Sequence, residues 1–190
     1  MDRVVYSVDT GALMEEIARL RGQVARLESR VEELDRDAHR DSLAPVANRR
    51  GLIRQLEMLI ARRDRYETPA ALLFVDVDGL KALNDAYGHA AGDAALIHLA
   101  RLMVGTVRQT DLVARLGGDE FAILLDHAEE PAAMETADRL VNAVAASDFT
   151  HHGRTLPLSV AVGITAIEQG DTAEAALDRA DREMYREKAA

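Results

Sequence analysis

The chain has no cysteine and no tryptophan, and aromatic residues make up only 4% of its 190 residues. Without cysteine there is no disulfide scaffold and no Cys-ligated metal centre, and the composition is compatible with a reducing compartment. Long hydrophobic runs are also missing: no apolar stretch approaches the roughly 18 residues of a membrane span. The first residues, MDRVVYSVDTG, lack the apolar core of a signal peptide. The expectation is a soluble, cytoplasmic chain with no membrane partner. Positive charge is in short supply, with 23 Lys and Arg against 33 Asp and Glu and a formal net charge of −10. That balance argues against nucleic acid as a partner, because binding a phosphate backbone requires a basic face. A small polyphosphate can still bind through a metal ion and local lysines and arginines.

Hydrophobic residues make up 48% of the chain, and the length suits one globular domain plus an extension. Residues 1–12 read as an N-terminal arm. Over residues 13–40 the apolar positions Leu13, Ile17, Leu20, Val24, Leu27, Val31, Leu34 and Ala38 alternate steps of four and three. That is a heptad seam with β-branched Ile17, Val24 and Val31 at a and leucine at d, the combination that favours a parallel two-stranded coil. Glu16 with Arg21 and Arg30 with Asp35 fall where charges attract between two chains. The alternative is one amphipathic helix packed on its own domain, but a globular face is usually wider than an a and d stripe. Pro45 breaks the seam, so residues 41–190 form the globular domain.

Within that domain Asn48 is an N-cap candidate for a helix burying Leu52, Leu56, Leu59 and Ile60. The continuous apolar run 70–75 reads as a strand buried on both faces, ending at Asp76. Helices are expected near 81–87, from about Gly92 with Leu96, Leu99, Met103 and Val107 inward, and from Pro131 with Leu140, Val141 and Val144 inward. Residues 158–165 alternate large and small side chains as a strand, and a last helix spans 172–188. The order βααββαβα implies an α/β sandwich with a central mixed sheet.

Two motifs carry chemistry. In DLVARLGGDEFAILL, residues 111–125, two apolar runs flank Gly117-Gly118-Asp119-Glu120, a hairpin signal because glycine supplies positive φ. The two carboxylates are either a solvated turn or part of a site. The second motif follows the strand ending at Asp76: DVDGLKALNDAYGHAAGD, residues 76–93. If the hairpin pairs beside that strand, Asp76 and Asp119 meet at one edge. Clustered carboxylates repel unless a hard divalent cation holds them, and Mg²⁺ takes one or two carboxylates plus phosphate oxygens.

Together, RLGGDEF and DVDGLKALNDAYGHAAGD resemble the GGDEF-domain diguanylate cyclases, which condense two GTP into cyclic di-GMP and two pyrophosphates. The lead-in DSLAPVANRR is similar to that family's D-x-L-T-G-L-P-N-R, with Ala44 for Thr and Pro45-Val46-Ala47 for Gly-Leu-Pro. The resemblance implies a domain like the palm of nucleotide cyclases and polymerases, working as a homodimer joined by the N-terminal coil. It implies two Mg²⁺ per site, or Mn²⁺, held by Asp76, the Val77 carbonyl, Asp119 and Glu120, with Asp119 or a metal-bound hydroxide as base. Asp78, Gly79, Leu80, Lys81 and Lys188 match the substrate-binding turn and the phosphate-contacting lysines. Asn84 and Asp93 match the guanine-reading pair, with a helix cap as the alternative for Asp93. Leu80 replaces the family's usual Phe and Leu116 its usual aromatic, and both are expected only to tune the pocket. Arg108 and Asp111 match the family's R-x-x-D product-inhibition site, and Arg139 its second arginine. An ordinary Arg108 to Asp111 ion pair is the alternative there. His89 is expected to be structural and the His151-His152 pair to lie solvated in a turn. The rival functional reading is a catalytically weak module that binds GTP or cyclic di-GMP and signals through its coil.

Overall fold

The computed structural model describes residues 10–188. The arm expected over residues 1–12 therefore lies largely outside the described residues, and the first helix already includes Thr10. The chain divides into two compact units, residues 1–38 and 39–190. The described residues of the first form one helix, α1 (Thr10–Ala38). Its seam residues Ile17, Leu20, Val24, Leu27, Val31 and Leu34 are 37–66% exposed, while the Leu13 side chain lies outside the described residues. Glu16 bonds Arg19 and Arg30 bonds Glu33 along the same helix. Within one chain, then, two of the charges expected to attract a partner helix have neighbours three residues away.

The second unit runs β1 (Ala47–Asn48), α2 (Arg49–Tyr66), β2 (Ala70–Val77), α3 (Leu80–Tyr87), α4 (His89–Thr106), β3 (Leu112–Gly117), β4 (Glu120–Asp126), α5 (Glu130–Ala145), β5 (Thr150–His151), β6 (Arg154–Thr155), β7 (Val160–Ala166) and α6 (Ala173–Lys188). The main sheet has the order β1-β3-β4-β2-β7, mixed because β1 alone runs parallel to its neighbour. β2 sits between β4 and β7, as its unbroken apolar run requires. Along β2, Leu73 and Val75 join one core with Leu99 and Met103 of α4 and Leu140 of α5. Leu72 and Phe74 join the other with Leu52 and Leu56 of α2 and Met184 of α6. Gly163 explains the small-residue face of β7: a Cβ there would meet Met184 N at 2.2 Å and the Ala180 carbonyl at 2.3 Å, so only glycine lets α6 approach.

The principal elements follow the expected order, with β1 and the small β5–β6 hairpin added to it. Asn48 caps α2 as expected, accepting from the Gly51 N–H at 3.0 Å. The lead-in is tied down despite its altered residues: Asp41 Oδ1 accepts from the Leu43 and Ala44 N–H groups, and Ala44 and Val46 are buried. Helix α4 starts at His89 rather than Gly92, which puts Asp93 inside the helix and removes its reading as a cap. His89 itself is exposed, so burial gives it no structural part. Val141 is 39% exposed rather than inward. His152 is solvated in the β5–β6 turn, whereas His151 is half-buried and stacks on Phe149 with ring centroids 6.5 Å apart.

Arg179 of α6 closes the end of β7. Its guanidinium grips Asp171 through two bonds, at 3.0 and 2.7 Å, and donates to Thr165 Oγ1 and the Ala166 carbonyl. Burial pushes the Asp171 pKa up, but the Arg179 bonds and the Glu168 N–H outweigh it and hold the carboxyl below its ordinary value. A depressed carboxyl stabilises the fold above its unfolded pKa, and the contribution disappears as pH falls through the folded value. Arg179→Ala is therefore expected to cost about 1–3 kcal/mol at neutral pH. In urea titrations, the gap between variant and parent should narrow as pH drops below the usual Asp range. A gap independent of pH would remove Asp171 from the effect.

Candidate active site

The hairpin between β3 and β4 turns on Gly118 and Asp119, with Gly117 paired to Glu120. Gly118 has φ 53°, a left-handed conformation suited to glycine at the tight turn. This places Asp119 at the tip and makes Glu120 the first residue of β4, directly opposite Asp76 of β2. Because side chains alternate along a strand, Asp76 and Glu120 share the face that Phe74 and Ala122 present to α2 and α6. The tip is joined to the strand end by its backbone, the Val77 N–H donating to the Asp119 carbonyl at 3.1 Å. Asp76, Val77, Asp119 and Glu120 thus converge at one end of the sheet.

Arg115, in the RLGGDEF motif, has a structural part that the motif alone does not disclose. Its guanidinium donates to the Gly118 carbonyl at 2.7 and 3.1 Å and reaches Asp41 Oδ1 at 3.4 Å. It clamps the tip and fastens it to the lead-in. The signal was spacing: Arg115 pairs with Phe121 across a bulge before Gly117, so its side chain lies beside the turn it serves.

The electrostatics mark this end of the sheet as short of positive charge. Burial raises the Glu120 carboxyl above its usual pKa, and the carboxylates of Asp119, Asp181 and Asp76 raise it further against the opposing Arg49. Lys188, the last residue of α6, places its ammonium on Asp76 Oδ1 and lies 3.7 Å from Asp78. Burial opposes that charge, but the bond to Asp76 and the fields of Asp76, Asp78 and Asp119 prevail and hold its pKa up. Asp181 and Arg49 were not foreseen. Asp181 lies seven residues before Lys188, two helical turns along the same face of α6, and that spacing was readable. Among the described residues no three His, Cys, Asp or Glu side chains stand together in a geometry that would hold a metal ion. The donors nevertheless fit a hard cation: they are carboxylate oxygens, and an ammonium already occupies Asp76.

Next to this cluster Gly79 adopts φ 66° at the start of α3, the conformation that lets the chain turn from Asp78 into the helix. Asp78 is held by Ser159, whose hydroxyl donates to Oδ2 at 2.8 Å. Leu80 is buried and Lys81 exposed. Helices α3 and α4 form a hairpin that brings Asn84 against Gly92, where a Cβ would meet Asn84 Oδ1 at 2.0 Å. The Asn84 Oδ1 is buried with no hydrogen-bond donor, and Asp93 is exposed one residue beyond Gly92.

Arg108 and Asp111 form a turn just ahead of β3. The Asp111 carboxylate accepts from the backbone N–H groups of Arg108 and Asp126, at 2.8 and 3.2 Å. Asp111 therefore serves the backbone instead of forming the simple ion pair. Arg139 of α5 donates to the Thr106 carbonyl at 3.1 Å, which brings it to the end of α4 two residues before Arg108.

The chain matches the family model described as diguanylate cyclase, GGDEF domain, over residues 38–190. It belongs to the GGDEF family. The diguanylate cyclase DgcP of Pseudomonas aeruginosa is 36% identical over 94% of this chain and 27% of its own length. The solved GGDEF domain of TpbB from the same organism is 38% identical, with a TM-score of 0.75 over 80% of this chain and 89% of that one. The coiled coil and GGDEF domain of DgcB from Caulobacter crescentus, solved with c-di-GMP, superposes with a TM-score of 0.85 over 94% of this chain and 95% of that one. At 24% identity that likeness speaks for the fold. The chain spans 27% of DgcP and 40% of TpbB, so it corresponds to one part of these longer cyclases. Within it, no described helix is long and apolar enough to cross a membrane.

Proposed function

We propose that this GGDEF domain condenses two GTP molecules into cyclic di-GMP, as a homodimer in which each protomer presents one GTP to the other across a two-fold axis. The observation that carries this reading is the junction of Asp76, Val77, Asp119 and Glu120 at one sheet end, with Lys188 already on Asp76. Mg²⁺ or Mn²⁺ bound there would supply charge shielding at the α-phosphate, activation of the 3′-hydroxyl and support for the leaving pyrophosphate. Asp76, Asp119 and Glu120 would hold it, together with the Val77 carbonyl. Lys188 would pass from Asp76 to the triphosphate, and Lys81 with the Asp78–Gly79 turn would meet the outer phosphates at the start of α3. Incubation with GTP and Mg²⁺, with products identified by mass, tests the reading. Formation of cyclic di-GMP supports it, and tight GTP binding without product would move the domain to the signalling alternative.

Base choice is assigned to Asn84 and Asp93. Asn84 is half-buried against Gly92, and the Asp93 carboxylate, exposed one residue further along, can accept from guanine N1–H and N2–H₂. Asp93→Ala should lower GTP use about tenfold or more, the equivalent of losing one polar contact worth about 1–3 kcal/mol. Equal use of GTP and ATP by the parent protein would refute this pocket.

Product feedback is assigned to Arg108, Asp111 and Arg139. Guanidinium groups can grip phosphate and guanine edges bidentately, and Asp111 holds the turn that presents Arg108. Cyclic di-GMP should inhibit the enzyme, with Arg108→Ala relieving inhibition and sparing turnover. Calorimetric titration that finds no cyclic di-GMP on nucleotide-free parent protein would falsify the site.

A further inference from the structure

β7 is an open edge of the main sheet. Two bonds fix which of its groups face inward: the Ser159 carbonyl accepts from the Asp78 N–H, and the Ile167 N–H donates to the Ala70 carbonyl. Since the hydrogen-bonding groups of successive strand residues alternate in direction, the odd-numbered residues serve β2, and Val160, Val162, Ile164 and Ala166 aim outward. Arg179 takes the Ala166 carbonyl at 2.9 Å. Among the described residues no hydrogen bond engages the outward groups of Val160, Val162 and Ile164. Exposed edges are commonly blunted by lysine, proline or a bulge. β7, reading VAVGITA, has none of these, and its pairing with β2 runs unbroken from Val160 to Ala166.

Two grooves follow this edge between α5 and α6, one of about 630 Å³ and one of about 430 Å³. Their walls differ. On the α5 side Met134 and Val141 are 53% and 39% exposed. Carboxylates stand at the start of α5 (Glu130), between Met134 and Val141 on that helix (Asp138), on α6 (Glu183 and Glu187) and just past the end of β7 (Glu168). The three cations lining the grooves are each engaged by a carboxylate: Arg179 by Asp171, Arg186 by Glu183 and Lys188 by Asp76.

We propose that this edge docks an extended segment of a partner protein in which apolar and basic residues alternate, adding it to the sheet as a sixth strand. Residues pairing with Val160, Val162 and Ile164 would lie on the same face as those side chains, toward Met134 and Val141. The intervening residues would face α6, where lysine or arginine meets Glu187 and, at the end of β7, Glu168. Backbone pairing supplies affinity in this mode, and the two differing walls supply sequence preference. The formal net charge of −10 would also speed the approach of a basic segment.

The test uses the full chain and a capped, fluorescein-labelled nine-residue peptide of alternating valine and lysine. Anisotropy should show saturable binding. Affinity should fall at least tenfold when the alternate amides facing the edge are N-methylated, and at least fivefold with Glu130→Lys combined with Glu168→Lys. Both substitutions are on exposed side chains, so folding is expected to survive them. Amide exchange at Val160, Val162 and Ile164 should slow at least tenfold on adding peptide. Binding indifferent to N-methylation would reduce the contact to general charge attraction and overturn the proposal. So would equal binding of a valine–glutamate peptide, or protection elsewhere than β7. Protection of the edge that grows with protein concentration in the absence of peptide would assign it to a second copy of this chain instead.

Discussion

Alanine in place of Asp76 or Asp119 is expected to lower cyclic di-GMP synthesis by roughly 10³-fold or more, because on the proposed reading each would remove a carboxylate that holds the metal against the triphosphate. The fold should tolerate both changes. Asp119 contributes to the architecture through its backbone carbonyl, which accepts from the Val77 N–H and is retained in alanine. Its φ is not positive, so the turn does not select against a side chain there. Loss of the Asp76 carboxylate leaves Lys188 without its main partner, but the lysine side chain is 32% exposed and can turn to water. Matching unfolding curves for parent and variants, beside lost product, would locate the defect in chemistry. Near-parental turnover in either variant would show that the catalytic metal is held elsewhere.

The contrast between these carboxylates and their supports shows what was legible in the sequence. Strand and helix order followed from apolar periodicity, since burial dominates local structure and leaves its period in the chain. The convergence of Asp76 with the hairpin tip was also readable, because each lies at the end of an apolar run and the runs pair. What periodicity could not supply was the partner of a polar side chain. Arg115 reaches both Gly118 and Asp41, and Asp41 lies 74 residues away. Lys188 meets Asp76 across 112 residues. Contacts of that range depend on the closed sheet. The short strands β1, β5 and β6 were missed for a related reason: two residues carry no period, and β1 exists because β3 offers an edge for Ala47 and Asn48. The apolar pattern also placed Val141 inward, whereas on α5 it borders the groove beside β7 instead of the core.

The other large expected effect concerns the seam of α1. With Leu27→Lys and Leu34→Lys together, the protein should become monomeric by light scattering. Its specific activity should drop more than tenfold at protein concentrations where the parent is still paired. Helix α1 is 29 residues long, about 43 Å at 1.5 Å per residue, which is enough for four heptads. In the single chain Leu27 and Leu34 are already 66% and 52% exposed, and neither belongs to a buried core. Their replacement therefore acts on association, where each d-position leucine would fill a hole of four residues on the partner helix. If one active site meets its twin as proposed, activity should rise with the concentration of the variant and converge on that of the parent only when mass action restores the pair. An unchanged mass would show that the seam does not join two chains. A monomer of full activity at every concentration would show that two GTP molecules can be joined without the two-fold arrangement, and would return the chemistry to a single domain.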